Sequence, residues 1–289
     1  MPELTPKLAK IRLHPIKSLD PVEVPEARIS PSGGLVHDRA WALYSVDGKW
    51  VNGKRTPVIH LIRASYSSDI RSVTLSVPGD RRKIPTRTFA FPESYEEASE
   101  WFSVFFEQRI IVRCSENGFP DDSIANGPTI VSTASLQAVS AWFTLRREGL
   151  APWADAFDRR GNGQRPAALS ADDLRLRFRT TLEINGVPAF WEDSLFGGDE
   201  RSSVRFTIGE VYFEGSNPCA RCPVPPRDPR TGEVLDGFQK RFTELREATL
   251  PPWSPQSRFD HYYRLSTNTR VPGSETGKFL HVADSLALL

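Results

Sequence analysis

Cysteine is scarce in this chain. It has three in 289 residues, too few for a disulfide framework, so the sequence predicts a reducing compartment. Neither charge sign is in excess. Lys and Arg number 37 against 36 Asp and Glu, a net charge of +1, which makes no electrostatic case for nucleic acid or an anionic membrane as the main partner. Long hydrophobic runs are missing too. No segment approaches a membrane span, and the opening MPELTPKLAKIRLHPIKS has two early prolines and no apolar core of signal-peptide length, so a cytoplasmic location is expected. There is no internal repeat, no Gly-rich phosphate loop, no Rossmann fingerprint and no four-cysteine iron–sulfur run. His14, His37, His60, His261 and His281 form no HExxH or paired-ligand pattern, and each reads as structural. With 39% hydrophobic and 25% charged residues, what remains is an ordinary globular chain long enough for one large or two modest domains.

The densest chemistry lies in Asn217–Gly232, NPCARCPVPPRDPRTG, with two of the three cysteines and a proline cluster. Val204–Ile208 and Val211–Glu214 are β-rich runs parted by Gly209-Glu210, a Gly-first loop suited to a type II′ hairpin. Cys219 and Cys222 are thus expected just past a strand end. Asp228-Pro229-Arg230-Thr231-Gly232 predicts a tight turn, because Asp bonds its own backbone, Pro presets φ and Gly accepts a positive φ. Four readings of Cys219-x-x-Cys222 compete. A zinc site lacks a second Cys or His pair; a thioredoxin-like pair lacks a following helix, which Pro223, Pro225 and Pro226 disfavour. Pro223–Pro226 matches the short PxxP pattern of polyproline recognition. In the fourth reading one thiolate ligates a soft metal whose other ligands come from a cofactor.

Taken in order, Lys10–His14, Val22–Ile29, Ala40–Val46, Val58–Tyr66, Val73–Val77 and Arg87–Phe91 are short β-rich runs spaced as in a small barrel or sandwich. Ser94-Tyr-Glu-Glu97 reads as a capping box, with Tyr95, Ala98, Trp101, Phe102 and Phe105 at helical spacing behind it. Arg109–Arg113 predicts a strand ending near Cys114, read as a small buried hydrophobe. Ser115–Pro128 is a polar loop that sets the expected domain cut, 1–120 against 121–289. Thr129–Ser132 begins a strand-to-helix unit whose Ser132, Thr133 and Ser135 cap the helix carrying Leu136, Val139, Trp142 and Phe143. Asp158–Asp173 reads as an exposed loop, and Leu174–Ile184 as a strand with Arg175, Arg177 and Arg179 on a solvated face. Phe238–Ala248 predicts a short helix, Trp253–Gly277 carries no assignable chemistry, and Lys278–Leu289 reads as a closing strand.

Cys219-Ala-Arg221-Cys222 followed by Asp228-Pro229-Arg230-Thr231-Gly232 resembles the signature of the MOSC domain, named for the C-terminal domain of molybdenum cofactor sulfurases and shared by the mitochondrial amidoxime-reducing components and their bacterial counterparts. His14-Pro15-Ile16-Lys17-Ser18 and Gly34-Leu-Val-His37-Asp38-Arg39-Ala-Trp41 resemble the two runs of the β-barrel domain that precedes MOSC in those reductases. The resemblance implies an α+β, mainly β protein, an N-terminal β-barrel-like domain packed on a β-barrel MOSC domain with a few helices. It implies a molybdenum cofactor (molybdenum–molybdopterin), with Cys222 as the metal ligand and Cys219 dispensable. It points to Arg179 and Thr181 in place of a family F-R-P-N run, here Phe178-Arg-Thr-Thr181, and to the Ser/Thr-rich helix start at Thr133 and Ser135 as cofactor contacts. Val282-Ala-Asp284 is similar to the family's closing V-G-D turn.

A pterin phosphate needs cationic, preferably bidentate donors, for which Lys17, Ser18, Arg39 and Arg55 are the N-terminal candidates. The resemblance also points to Asp228, whose counterpart follows the ligand cysteine in the family, as a residue that orients the loop or a bound water. The implied activity is reduction of N-hydroxylated or related N-oxygenated small molecules. Two electrons per turnover then require a separate donor protein, of the cytochrome b5, ferredoxin or flavoprotein kind. Two other readings stay open: a non-redox cofactor-binding or cysteine-persulfide sulfur-carrier protein, and an interaction module using the proline loop.

Overall fold

The computed structural model describes residues 5–79, 83–119, 125–144 and 168–289. The expected domain cut, the part of the polar loop at 120–124 and the 158–167 part of the expected exposed loop lie outside them. Alternating apolar residues build most of the strands. In chain order they are β1 (Lys7–Leu13), β2 (Val22–Val24), β3 (Glu26–Arg28), β4 (Trp41–Ser45), β5 (Trp50–Val51), β6 (Arg63–Tyr66), β7 (Ser72–Ser76), β8 (Arg87–Ala90), β9 (Ile110–Cys114), β10 (Ile130–Ser132), β11 (Leu182–Asn185), β12 (Val204–Ile208), β13 (Val211–Ala220), β14 (Arg264–Arg270), β15 (Phe279–His281) and β16 (Leu286–Leu288). The helices among the described residues are α1 (Tyr95–Phe106), α2 (Thr133–Thr144), α3 (Ala171–Phe178) and α4 (Phe238–Ala248). The architecture is mainly β, of the α+β class.

One sheet of eight strands, β16-β12-β13-β14-β10-β11-β1-β2, spans both ends of the chain. β1 pairs antiparallel with β11, Ile11 opposite Leu182, so N-terminal strands complete a sheet made mostly of C-terminal ones. β5-β4-β9 and β6-β7-β8 form smaller sheets, and β15 pairs with β3. Leu8, Ile11, Leu43, Phe102, Phe206 and Phe213 join the main core. A second core lies under the helices, where Phe143 stacks on Phe238 at 4.6 Å and Leu174, Phe178 and Phe242 close around them. The Gly209 hairpin forms as expected, Val204 to Ile208 against Gly215 to Val211, with Gly209 at φ 57. Gly215 is obligatory for a different reason: a Cβ there would lie 1.7 Å from the Leu195 carbonyl.

Several expectations change. Leu174–Ile184 is not one alternating strand: residues 171–178 are α3, started by a capping box in which Ser170 Oγ accepts from Asp173 N and the Asp173 side chain bonds back. Helical spacing puts Leu174 and Phe178 on one buried face, and Arg175 and Arg177 are buried rather than solvated. The Val58–Tyr66 run starts instead as a 3₁₀ turn, Pro57–Leu61, because Pro57 fixes φ and has no N–H for a ladder; only Arg63 onward is strand. Ser94 precedes α1 but makes no side-chain cap bond. Cys114 is exposed: it shares the face of the buried Ile110 and Val112, but at the last residue of β9 that face is no longer covered. Trp253–Gly277 is not featureless: it holds β14, a central strand whose buried Thr267 and Thr269 hydroxyls donate to the carbonyls of Glu192 (2.5 Å) and Pro128 (2.7 Å). The closing segment is two short strands, turned at Ala283 with φ 77. Cys219 sits inside the end of β13 rather than beyond it.

Candidate functional site

A cavity of about 590 Å³ opens where the β1–β2 turn, the loop before β4, the C-terminal end of α3 and the cysteine loop converge. Its wall carries six cationic side chains, Lys17, Arg39, Lys54, Arg177, Arg179 and Arg221, against two acidic ones, Asp38 and Glu116. Both Cys219 and Cys222 face it as free, partly buried thiols. Opposite charges are scarce here, so the cavity is suited to an anion.

All of these cations but the exposed Lys54 are held in place. Lys17 Nζ donates to the Phe119 carbonyl at 3.1 Å and lies 4.4 Å over the Trp50 ring. Arg39 pairs with Asp38, whose Oδ1 also accepts the His14 backbone N–H at 2.8 Å. Burial pushes the Asp38 carboxyl up, yet Arg39 and His14 together bring it below the ordinary carboxylate range. Arg179 Nη1 donates to the Leu19 carbonyl at 2.8 Å, joining α3 to the N-terminal turn. Arg221 Nη1 donates to Cys219 Sγ at 3.0 Å, its Nη2 donates to the Phe178 carbonyl, and the guanidinium lies 5.3 Å from the Phe178 ring centroid. Burial, and then the Arg179 charge, lower the His14 imidazole to about 3.

The backbone is strained where the wall is formed. Ser18 (φ 74), His37 (φ 69), Arg39 (φ 51) and Arg179 (φ 52) are all non-glycine residues in the left-handed region, and all four line the cavity. Such residues cost free energy and persist where the surroundings over-determine them, a pattern that gathers at functional sites.

The cysteine loop is anchored from below. Arg177, 5% exposed, donates from Nη1 to the carbonyls of Pro225 (3.1 Å) and Arg227 (2.6 Å) and places Nη2 3.5 Å from Asp228 Oδ2. The predicted turn forms, with Asp228 Oδ1 accepting from Arg230 N and Thr231 N at 2.8 and 3.0 Å and Gly232 at φ 76. Arg63 Nη2 donates to the Pro229 carbonyl at 3.0 Å and joins the loop to the 3₁₀ turn of residues 57–61.

Of the residues singled out from sequence, Lys17, Ser18, Arg39, Arg179, Thr181 and Cys222 meet in this cavity, while Arg55, Thr133, Ser135 and Asp228 do not line it. Arg55 is exposed, and its neighbour Lys54 takes the cavity wall. Thr133 Oγ1 donates to Glu183 at 2.7 Å, and Arg175 clamps the same carboxylate through Nε and Nη2. Ser135 is buried, with its hydroxyl 2.9 Å from Glu192 Oε2 and accepting the Phe190 backbone N–H. Sequence reasoning missed Lys54, Arg177 and Arg221 as wall residues. Arg177 had a signal, the Ser170-x-x-Asp173 cap that makes the segment a helix. His60 was read as structural, and it lines the cavity.

Fold and wall together define a mainly β protein with a thiol-bearing, cation-lined cavity. Residues 5–109, about a third of the chain, match the family model of the MOSC N-terminal beta barrel domain. The chain is 25% identical over 265 residues to the human molybdenum cofactor sulfurase, covering 84% of this chain and 29% of that protein. It is 24% identical over 257 residues to bovine mitochondrial amidoxime reducing component 2 (78% and 68% covered) and 26% identical over 285 residues to Xenopus laevis mitochondrial amidoxime-reducing component 1 (83% and 73%). It thus spans under a third of the human sulfurase and about two thirds or more of the reducing components. No helix among the described residues is long and apolar enough to cross a membrane.

Proposed function

We propose that this chain is a molybdenum-cofactor-dependent oxidoreductase that reduces N-hydroxylated or related N-oxygenated small molecules with electrons from a separate donor protein, acting in the cytoplasm. The observation that carries the reading is the partly buried Cys222 thiol in the wall of a cavity otherwise dominated by cations. The donor set fits the cofactor. Among the described residues no group of three or more His, Cys, Asp or Glu could hold a metal alone, so a metal at Cys222 would arrive with most of its ligands, and a phosphate-bearing organic ligand would meet Lys17, Arg39, Lys54 and Arg179. When bound, the cofactor supplies two-electron redox chemistry at a metal that one soft thiolate ligates.

The chain's residues divide the remaining work. Cys222 is the metal ligand. Lys17, Arg39, Lys54 and Arg179 bind phosphate by charge-assisted hydrogen bonds, with Ser18 and Thr181 on the same wall. Arg177 and Asp228 fix the loop that presents the thiol. Thr133 and Ser135 act one layer behind, through Glu183 and Glu192. In this reading residues 1–120 form the barrel-like domain and 121–289 the MOSC domain, with the cavity drawing on both.

The test is metal content and dye-driven activity of single mutants. Cys222→Ser should lose the molybdenum and the reduction of benzamidoxime by reduced viologen dye, because a serine hydroxyl is a harder and far less acidic ligand. Cys219→Ser should keep both, and NADPH without an added protein should not support turnover. A molybdenum-free wild-type protein, or an intact Cys222→Ser beside an inactive Cys219→Ser, would overturn the reading. A second reading has one observation in its favour: Arg221 donates to Cys219 Sγ at 3.0 Å, a bond that would steady a persulfide anion in a sulfur carrier. Persulfide detected on Cys219 in a metal-free protein would favour it.

A further inference from the structure

His60 is 7% exposed and belongs to the cavity wall, yet its ring is incomplete. Nε2 is sealed from solvent with no partner, and nothing among the described residues hydrogen-bonds either ring nitrogen. Nε2, packed against Gly53, is closed to an outside partner as the ring stands, whereas Nδ1 is not sealed and has no partner among the described residues, so Nδ1 is the nitrogen that can meet a ligand in the cavity. The position is built. A Cβ on Gly53 would come within 2.8 Å of Nε2 and 3.1 Å of Cε1, so only glycine there leaves room for the ring. On the other side Gly232, in the turn after Cys222, would bring its own Cβ 3.6 Å from the His60 Cβ. The His60 carbonyl accepts from Arg63, which also donates to Pro229 of the cysteine loop.

We infer that His60 contacts the substrate: its Nδ1–H donates a hydrogen bond to the oxygen of a small N-oxygenated molecule held beside Cys222, and so favours substrates that carry an acceptor oxygen. The inference rests on the functional reading above. Burial, then Arg179, Arg227 and Arg63, lower the imidazole to about 4, so the ring is neutral at pH 7 and presents one N–H donor. The surrounding cations disfavour a positively charged ligand and favour one that presents an oxygen. The net reaction is R–NHOH + 2 e⁻ + 2 H⁺ → R–NH₂ + H₂O: the N–O bond breaks, the donor protein's electrons reduce nitrogen, and the oxygen facing His60 leaves as water.

Long-range proton–nitrogen NMR of the histidine rings, on the protein as isolated, reads the contact directly. The His60 signal is assigned by its loss in His60→Leu, or in His60→Asn if the leucine variant does not fold. Benzamidoxime should move the His60 ring nitrogens, and benzamidine, which lacks the oxygen, should not. In kinetics His60→Leu should raise KM roughly tenfold, the loss of about one hydrogen bond, with molybdenum content unchanged, and His60→Asn should recover part of it. Gly53→Ala should reproduce the defect with the imidazole retained. A His60 signal indifferent to benzamidoxime overturns the inference, as does loss of molybdenum and pterin from His60→Leu, which would give the ring to the cofactor. If the wild type carries no molybdenum the functional reading fails, and the titration still decides whether His60 meets the amidoxime oxygen.

Discussion

Arg177 shows how far one side chain can govern this site by holding a loop as well as lining the wall. Its guanidinium bonds two loop carbonyls, and burial lowers its pKa. Arg177→Leu leaves the Pro225 and Arg227 carbonyls unpaired, and hydrogen bonds to a charged group contribute about 1.5–3 kcal/mol. The variant should unfold about 2 kcal/mol more easily in urea, and limited proteolysis should cut first between residues 222 and 232. Sequence did not show this, because Leu-Arg-Leu-Arg-Phe-Arg has the two-residue period of a strand as well as an apolar i,i+4 pair. Burial settled the ambiguity: Leu174 and Phe178 fill the second core only if the segment is helical. Cys222, Lys17, Ser18 and Arg39 stood out in the sequence because they sit in distinctive local runs. Lys54 did not, since nothing local separates it from Arg55.

At the level of elements, legibility followed the strength of local patterning. The aromatic stripe of α1, the Gly209 hairpin, the Asp228–Gly232 turn and α4 were all readable. β14 was not, because its buried side chains are mostly hydroxyls and an amide, which read as a loop until their carbonyl partners are known. The helix α3 depends on its first residue for a comparable reason. With eight residues it is too short to persist on propensity alone, and the Ser170–Asp173 box satisfies its first N–H groups. Ser170→Ala should destabilise the protein by about 1 kcal/mol in urea denaturation. Because α3 carries Arg177 and Arg179 into the cavity, hydrogen exchange should also quicken across residues 171–179. An unchanged exchange rate there would show that packing alone holds the helix.

For the molecule as a whole, three buried groups set opposing responses to pH. His14 and His60 are lowered to about 3 and about 4 by burial, so the unfolded chain binds protons there below pH 6.5 that the folded chain refuses, and stability falls as pH drops below that value. Glu192 works the other way. Burial, and then Asp193, raise it to about 7, so its contribution is lost as pH rises from about 4.5 to 7. Two histidines against one glutamate leave a net gain with pH between 5 and 6.5. Glu192→Gln should steepen that acid limb and stabilise the protein above pH 7 by on the order of 2 kcal/mol, measured as thermal midpoints across pH. A wild-type curve that declines from pH 5 to 6.5 would contradict the assignment. The interleaved sheet bears on synthesis as well. β1 leaves the ribosome before its partner β11, which follows about 170 residues later, at roughly 5–20 residues per second about ten to thirty seconds. Through that interval the nascent chain carries an open hydrogen-bonding edge at Leu8–Ile11, and the cell must keep that edge from other strands until the chain's own later half arrives.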